Sequence, residues 1–302
     1  MLHFIGPGKC YLDYGPVQMY ITAVAPDKPL HEVLKTVKNL VHNLLEDLSA
    51  CLDQAKLPAG ELDHEDNRPV IFQAMLKAVT AAGDPSLTPM AAVAGSFSDA
   101  VAAYLLKKGA TYLIVNNGGD IAFYQDQAQK LKIGLKPDLN QERCSHFLTV
   151  NNTNCCPGIA TSGLGGRGFT MGIASSVTVL ASDSATADAC ATLIANKTSV
   201  DDPAVVKVPA EMLDPQTDLR GKAVTLECTG LKAEQYLEAV QSGLTAAKKL
   251  IDKKVIKGAV LFAGPYVSAA PEIIRAAIEP FNEQDPAILD REGERLCPTI
   301  MS

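Results

Sequence analysis

The sequence predicts an α+β fold in which helices pack on a mixed β-sheet. Apolar residues in Leu30–Leu52 recur at i, i+3, i+4 and i+7, which is the pattern of a helix with one buried face. Short runs such as Val17–Val24 and Ser175–Leu180 alternate or are rich in β-branched residues, as strands are. The chain has neither an internal repeat nor a linker-like segment, so a single domain over 1–302 is the economical interpretation.

Composition and charge exclude several classes of protein. The chain has 302 residues, 47% of them hydrophobic, which is enough to bury a sizeable core. Its net charge of -7 argues against a nucleic-acid partner. It lacks both a run of about eighteen apolar residues and a signal peptide, so we expect no membrane partner. The 8 cysteines form no C-x-x-C pair, and free thiols without a signal peptide predict a reducing, cytoplasmic location.

The elements before the central motif are predicted from periodicity and from glycine and proline. Cys10–Ala25 indicates two strands that turn at Gly15-Pro16. Helices are predicted over Leu30–Leu52, Val70–Ala82 and Met90–Lys107. The first half of the third helix is almost entirely Ala, Gly and Ser, so another helix or a ligand can approach its backbone closely.

The central motif is V-N-N-G-G-D-I, from Val115 to Ile121. It follows the apolar strand Thr111–Val115, and a strand that ends in Asn, Gly and Asp is a common position for a binding site. The same residues also suit a tight turn between Tyr112–Val115 and Ile121–Tyr124. Taken alone, the stretch favours the turn.

A glycine-rich segment, T-S-G-L-G-G-R-G, follows at Thr161–Gly168, after predicted strands at Leu131–Lys136 and His146–Val150. It satisfies G-x-G-x-x-G, but the β-branched strand Ser175–Leu180 follows where a dinucleotide fingerprint requires a helix. Two interpretations stay open, a phosphate-contacting loop with Arg167 as anion partner and a flexible loop. Cys155-Cys156, in a polar turn region before it, indicates either two buried thiols or a reactive site.

Ser182-Asp183-Ser184 predicts the N-cap of a helix over Ala185–Asn196. Asp188 and Thr192 are four residues apart and therefore share a helix face. A carboxylate and a hydroxyl on one face suit a hard cation such as Mg²⁺. Alternatively, Asp188 interacts with the positive end of the helix dipole, and the residues alone favour that simpler interpretation.

The C-terminal third is interpreted as scaffold. It is predicted to contain the strands Ala223–Thr229 and Gly258–Ala263, the helices Ala233–Lys254 and Pro271–Ile278, and a polar tail over Asn282–Ser302.

Three stretches together resemble the ApbE-like superfamily, whose best-known members are FAD:protein FMN transferases. A-V-A-G-S-F-S-D at Ala92–Asp99 is similar to that family's small-residue run ending in Asp, and V-N-N-G-G-D-I to its N-x-G-G-D-I. A-T-S-G at Ala160–Gly163, followed by S-V-T-V and A-D-A-x-A-T, is similar to its A-T-S-G … V-T-V … A-D-A-x-x-T tail. The motifs lie within 92–192, about a third of the chain, and match best an uncharacterised branch.

The resemblance implies an ApbE-like domain that binds Mg²⁺ and FAD or FMN. It assigns the metal to Asp188, Thr192 and the backbone carbonyl of Val93, which raises the metal interpretation of Asp188 above the dipole interpretation. In the family the metal polarises the FAD pyrophosphate while a Ser or Thr of an acceptor protein attacks, and AMP leaves. The residues that the resemblance assigns to the flavin pocket are Gly95, Asp99, Asn117, Gly118, Gly119, Asp120, Thr161, Ser162 and Gly163.

Two departures from the family pattern bear on catalysis. Ala94-Gly95-Ser96 replaces the family's Lys-Gly-Tyr, and Leu164–Ser176 contains neither the His nor the Pro of its H-x-x-D-P element. We therefore expect a Mg²⁺-dependent flavin- or nucleotide-binding protein, with FMN transfer to an acceptor protein in doubt. The alternative is a non-catalytic flavin- or metabolite-binding accessory protein in sulfur or cofactor metabolism. A homodimer stays open.

Overall fold

The computed structural model describes residues 1–26, 28–63, 67–126, 130–137, 144–151 and 157–280. Its strands are β1 (Leu2–Gly6), β2 (Lys9–Tyr14), β3 (Val17–Ala25), β4 (Lys28–Pro29), β5 (Tyr112–Asn117), β6 (Asp120–Gln125), β7 (Lys130–Leu135), β8 (His146–Asn151), β9 (Gly158–Ser162), β10 (Ser176–Ala181), β11 (Val205–Pro209), β12 (Ala223–Cys228), β13 (Ile256–Ala263), β14 (Tyr266–Ala270) and β15 (Ile278–Pro280). Its helices are α1 (His31–Ser49), α2 (Leu52–Ala55), α3 (Val70–Ala82), α4 (Val93–Lys107), α5 (Ser184–Asn196), α6 (Ala210–Leu213), α7 (Ala233–Asp252) and α8 (Glu272–Ala276).

The strands form one large sheet and two small ones. The large sheet has the order β1-β2-β3-β5-β6-β9-β10-β13-β14, with β4 paired to β3. The small sheets are β11-β12 and β15-β8-β7. Every pairing within the described residues is antiparallel. The predicted α+β class, with helices packed on a sheet, is confirmed.

Side chains alternate along each strand, so the two faces of the large sheet pack against different elements. On β13, Ala259, Leu261 and Ala263 join the core formed with α1, α3, α4 and α5. Val260 and Phe262 of the same strand join a second core formed with β7 and β8. The sheet is therefore covered by helices on one face and by the three-stranded sheet on the other.

Helix α5 lies at the centre of the helical layer because its residues are small. It packs against α3, α4 and α7 and against strands β9 and β10. Alanines supply much of its buried surface, and Gly158 on β9 lies so close that a Cβ there would be 2.0 Å from the Ser184 nitrogen. Small side chains allow this close approach of β9 to the start of α5.

Helix α4 begins later than the sequence predicts. A 3₁₀ turn over Pro89–Ala92 precedes it, so Val93 is its first residue. Among the described helices, Pro89–Lys107 as a whole has the length and apolar composition of a membrane-crossing helix. Phe97, Val101 and Leu105 of this segment are buried in the protein core.

Several sequence predictions need correction. The helix predicted over Pro271–Ile278 ends at Ala276, and Ile278 begins strand β15. Strands β1, β11 and β14 lie where no element was predicted from the sequence, because each has only five residues and so a weak pattern of its own. Cys144 is disulfide-bonded, against the expectation of thiols throughout, whereas the thiols of Cys10, Cys51, Cys190 and Cys228 are free. Cys155, Cys156 and the tail over 281–302 lie outside the described residues.

Candidate functional site

The central motif is a two-residue hairpin turn. Asn117 on β5 pairs with Asp120 on β6, and Gly118 and Gly119 between them have φ angles of 71° and 109°. Positive φ at both positions is what the tightest hairpins need, and the Asn116 side chain braces the turn by accepting from the Gly119 N–H at 2.9 Å. The turn interpretation is confirmed, and the turn itself places Asn117 and Asp120 side by side.

The first turns of α4 and α5 interlock beside this hairpin. A Cβ on Gly95 would lie 2.3 Å from the Ser184 carbonyl oxygen, so only glycine fits there. Asp99 accepts from the backbone N–H groups of Ser184 at 2.9 Å and Ala185 at 2.8 Å. Asp99 therefore satisfies orphan donors at the start of α5 from a neighbouring helix.

Asp188 is held at the same junction. Its Oδ2 accepts from the Gly95 N–H at 3.0 Å, and the Asn117 side-chain amide donates to the Ala94 carbonyl at 3.2 Å. The helix N-cap is Asp183, which accepts from the Thr186 N–H at 2.7 Å. Since Asp188 lies beyond the first turn, its interaction with the helix dipole is weak.

The two carboxylates of Asp120 and Asp188 lack sufficient donors for their negative charge. Burial, and then the charge of Asp120, raises the pKa of Asp188 well above its usual range. Burial also raises the pKa of Asp120, against the opposing effects of the Thr161 N–H and the Arg167 charge. Oδ1 of Asp120 is buried without a hydrogen-bond partner in the described structure. An unpaired oxygen beside a second carboxylate is an arrangement that a cation stabilises.

A large cleft opens over these carboxylates. Its volume is about 1020 Å³, at the upper end of the range for small-molecule sites. The predicted site residues that line it are Val93, Asn117, Gly118, Asp120, Thr161, Ser162, Gly163, Asp188 and Thr192. Although Gly95 and Gly119 of the predicted set do not line it, the three motifs therefore meet at one cavity. Their roles in binding stay predictions.

Three of the predicted site residues do not line the cleft. Gly95 and Asp99 lie behind its wall, where they hold α4 against α5. Gly119 lines a smaller adjacent cavity of about 90 Å³. The residues that line both cavities are Gly118, Thr161, Ser162, Gly166 and Arg167.

The segment between β11 and β12 forms the opposite wall of the cleft. Lys56 donates to the Gln216 carbonyl at 2.6 Å, and the Thr88 hydroxyl donates to Asp218. Asp214, Thr217 and other residues of this segment line the cleft. The contribution of this segment to the cleft was not predicted from the sequence, because the segment carries no motif. Its one signal is a polar D-P-Q-T-D run between two strands.

The lining of the cleft contains carboxylates and hydroxyls but no imidazole. Among the described residues, neither cavity is lined by a histidine, and no group of three or more His, Cys, Asp or Glu is arranged for a metal. His146 lies on β8, where its ring packs 5.3 Å from that of Phe262 and its Nδ1 bonds the Ser145 hydroxyl at 2.8 Å. His146 therefore does not take the place of the histidine of H-x-x-D-P at the cleft.

Comparisons with known proteins match most of the chain. A family model described as AbpE bacteria matches residues 3–273. A UPF0280 protein of Methanospirillum hungatei is 36% identical over 135 residues, 44% of this chain and 53% of the relative. The alignment thus spans about half of that relative. A UPF0280 protein of Methanosarcina acetivorans is 30% identical over 189 residues, 61% of this chain and 72% of the relative. The crystal structure of the ApbE protein from Thermotoga maritima aligns with a TM-score of 0.44 and 14% identity, over 65% of this chain and 88% of that one.

Proposed function

The chain belongs to the AbpE bacteria family, within the ApbE-like superfamily, and on that premise we propose that it binds FAD or FMN together with Mg²⁺ in the large cleft. The observation that carries the proposal is a pair of neighbouring carboxylates, the buried Asp120 and the partly buried Asp188, on the wall of a cleft large enough for a dinucleotide. The single domain and the cytoplasmic location stay predictions.

The residues present fit a hard cation. Mg²⁺ prefers oxygen ligands, and it is usually held by one or two carboxylates with ligand phosphates. Asp188, Thr192 and the backbone carbonyl of Val93 would hold it, and the partnerless oxygen of Asp120 adds negative charge beside them. When bound, the ion would polarise phosphoryl oxygens and offset their charge.

The lining also fits a flavin nucleotide. Its apolar residues include Leu45, Leu48 and Met171, which suit contact with a ring system. Its Gly, Ser, Thr and Asn residues leave space and supply hydrogen-bond donors. A ligand that combines a flat apolar group with phosphates would use both kinds of residue.

FMN transfer to an acceptor protein is the enzymatic form of the proposal. The alternative is a flavin- or metabolite-binding accessory protein without catalysis, in sulfur or cofactor metabolism. The observation in favour of this alternative is that the groups expected at the catalytic positions are missing from the described site. Ala94-Gly95-Ser96 supplies no cation or phenol, and the described lining has no histidine to carry a proton.

The two forms are separated by one incubation with two readouts. The purified protein is incubated with FAD and Mg²⁺ and then desalted. Retained visible absorption reports flavin binding, and chromatography of the small molecules reports AMP. Flavin retained without AMP supports the accessory protein, whereas AMP release supports pyrophosphate cleavage. If the protein neither retains flavin nor releases AMP, the proposal is overturned.

The metal is tested at Asp188. Asp188→Asn is nearly isosteric and replaces a charged ligand by a neutral amide, so Mg²⁺ affinity should fall sharply. Calorimetric titration of Mg²⁺ into both proteins, with FAD present, measures this. If Asp188 acted only on the helix dipole, the substitution would lower stability by ~0.3–1 kcal/mol and leave Mg²⁺ affinity unchanged.

A further inference from the structure

The guanidinium group of Arg167 lies directly against the hairpin turn of the site. A Cβ on Gly118 would be 2.2 Å from Nη2 of Arg167 and 2.8 Å from Cζ. Glycine at 118 suits a φ of 71°, and a side chain there would also displace the Arg167 guanidinium. The central motif and the glycine-rich loop thus meet at one contact.

The loop that carries Arg167 is fixed at its base. The N–H groups of Leu164 and Gly165 donate to the carbonyls of Ala174 and Ser175 at 2.9 and 3.0 Å. Gly163, at a φ of 141°, lies so close that a Cβ would be 2.7 Å from the Ser175 oxygen. These bonds hold both ends of the loop together, and the bond from Arg167 to the Gln18 side-chain oxygen orients the guanidinium.

No salt bridge joins Arg167 to an acidic group of the described residues. Its Nη1 donates to the Gln18 side-chain oxygen at 3.1 Å, and its charge lowers the pKa of Asp120. Of the four lysines that line the larger cavity, three donate to other groups: Lys56 to the Gln216 carbonyl, Lys197 to Asp84 and Lys207 to the Ser199 hydroxyl. Arg167 thus presents an exposed guanidinium, without a salt bridge, at the wall that both cavities share.

We propose that Arg167 binds a phosphate group of the ligand at the boundary between the two cavities. A guanidinium presents a planar fork of donors that matches phosphate oxygens, and one bond to Gln18 leaves other N–H groups to donate. The proposal rests on the proposed function, since it names the residue that anchors the phosphate end of the flavin nucleotide. Of the two interpretations left open by the sequence, it adopts the phosphate-contacting loop.

The test compares Arg167→Gln with Arg275→Gln, by calorimetric titration with two probes, FAD and inorganic pyrophosphate. Arg275 is an exposed arginine on α8 that lines neither cavity, so its variant removes the same charge elsewhere. Arg167→Gln should lower the affinity for both probes about ten- to a hundredfold, the range for a lost hydrogen bond to a charged group. Arg275→Gln should change neither by more than about twofold.

Two further variants keep the proposal falsifiable. Arg167→Lys keeps the charge without the fork, so it should restore part of the affinity. Gly118→Ala keeps Arg167 but adds a methyl group where the guanidinium lies, so it should lower the affinity for pyrophosphate as Arg167→Gln does. The melting temperature of the variant checks that it is folded.

The outcomes separate this inference from the proposed function. If FAD binds wild type and Arg167→Gln equally, the inference is overturned and the proposed function stands. If wild type binds pyrophosphate through Arg167 but does not bind FAD, the phosphate site stands and the proposed function fails. If wild type binds neither probe, both are overturned.

Discussion

The backbone N–H of Gly95 donates a 3.0 Å hydrogen bond to Oδ2 of Asp188, and this bond joins the start of α4 to the second turn of α5. The bond is made where the two helix backbones touch, because Gly95 has no side chain to separate them from Ser184. The contact that packs the two helices therefore also orients the carboxylate in the cleft.

Gly95→Ala should destabilise the fold and weaken Mg²⁺ binding together. The new methyl group would lie 2.3 Å from the Ser184 oxygen, so one helix must shift, at a cost of about 1–3 kcal/mol. Urea unfolding and Mg²⁺ titration measure the two effects. Gly6→Ala is the control, since Gly6 lines neither cavity and a Cβ there would meet only the Lys9 side chain, at 3.7 Å. Unchanged Mg²⁺ affinity in Gly95→Ala would separate the packing contact from the metal site.

Asp120→Asn should stabilise the metal-free protein and reduce its response to Mg²⁺. The substitution removes one member of a carboxyl pair whose ionised forms repel each other, a gain on the order of 1 kcal/mol at a pH where both are ionised. Melting temperatures with and without Mg²⁺ measure both effects. Asp126→Asn, at the exposed end of the same hairpin, serves as control. A variant that is less stable without metal and equally stabilised by Mg²⁺ would contradict the prediction.

Asp99 should make stability depend on pH. Burial, with a smaller contribution from Asp183, raises the pKa of Asp99 to about 7, although two N–H donors oppose the shift. An unfolded Asp titrates near pH ~4, so between about pH 4 and 7 the folded protein keeps a proton that the unfolded chain has lost. The contribution of Asp99 is therefore full below about pH 4 and falls as pH rises, by at most about 1.4 kcal/mol per unit.

The comparison with Asp99→Asn isolates this effect. Its side chain does not titrate, so the stability of wild type relative to the variant should fall as pH rises through that window. Urea unfolding of both proteins at several pH values measures the difference. A difference that is constant with pH would show that Asp99 is ionised throughout.

Cysteine reactivity should follow burial. Burial raises the pKa of Cys10 and of Cys190 to about 12, so neither forms thiolate near neutral pH, and both are fully enclosed. Cys51 and Cys228 are only partly buried. Iodoacetamide at about pH 8 should therefore alkylate Cys51 and Cys228 before Cys10 and Cys190, as peptide mass spectrometry detects. Rapid labelling of Cys190 in the native protein would reveal opening of the layer around α5.

Elements with strong local signals could be predicted from the sequence. Helix α3 has the predicted bounds, and α5 differs by one residue, because periodicity and capping residues act within the segment. Strands β11 and β14 could not be predicted in this way. β11 pairs with β12 across the intervening segment 210–222, and β14 is a short strand at the edge of the large sheet that is paired only to β13, so neither has a strong pattern of its own.

The site was predicted in part for the same reason. Gly118, Asp120 and Asp188 belong to motifs whose residue types were informative by themselves, and the structure brings them to one cleft. Asp99 belongs to the same motifs, yet it bonds the start of α5 instead of facing the cleft. Sequence spacing places a residue on an element, but the neighbouring helix decides which donors its side chain meets.

The sequence by itself determined the α+β class, the glycines of the hairpin turn and the residues that make up the motifs. Backbone conformation and periodicity are local properties, and they are encoded over a few residues. Only the tertiary structure decided that the charge of Asp120 raises the pKa of Asp188, that Arg167 lies against Gly118, and that the segment between β11 and β12 lines the cleft. Electrostatic and steric contacts depend on distances through space, and those are fixed only when strands and helices far apart in the chain pack together.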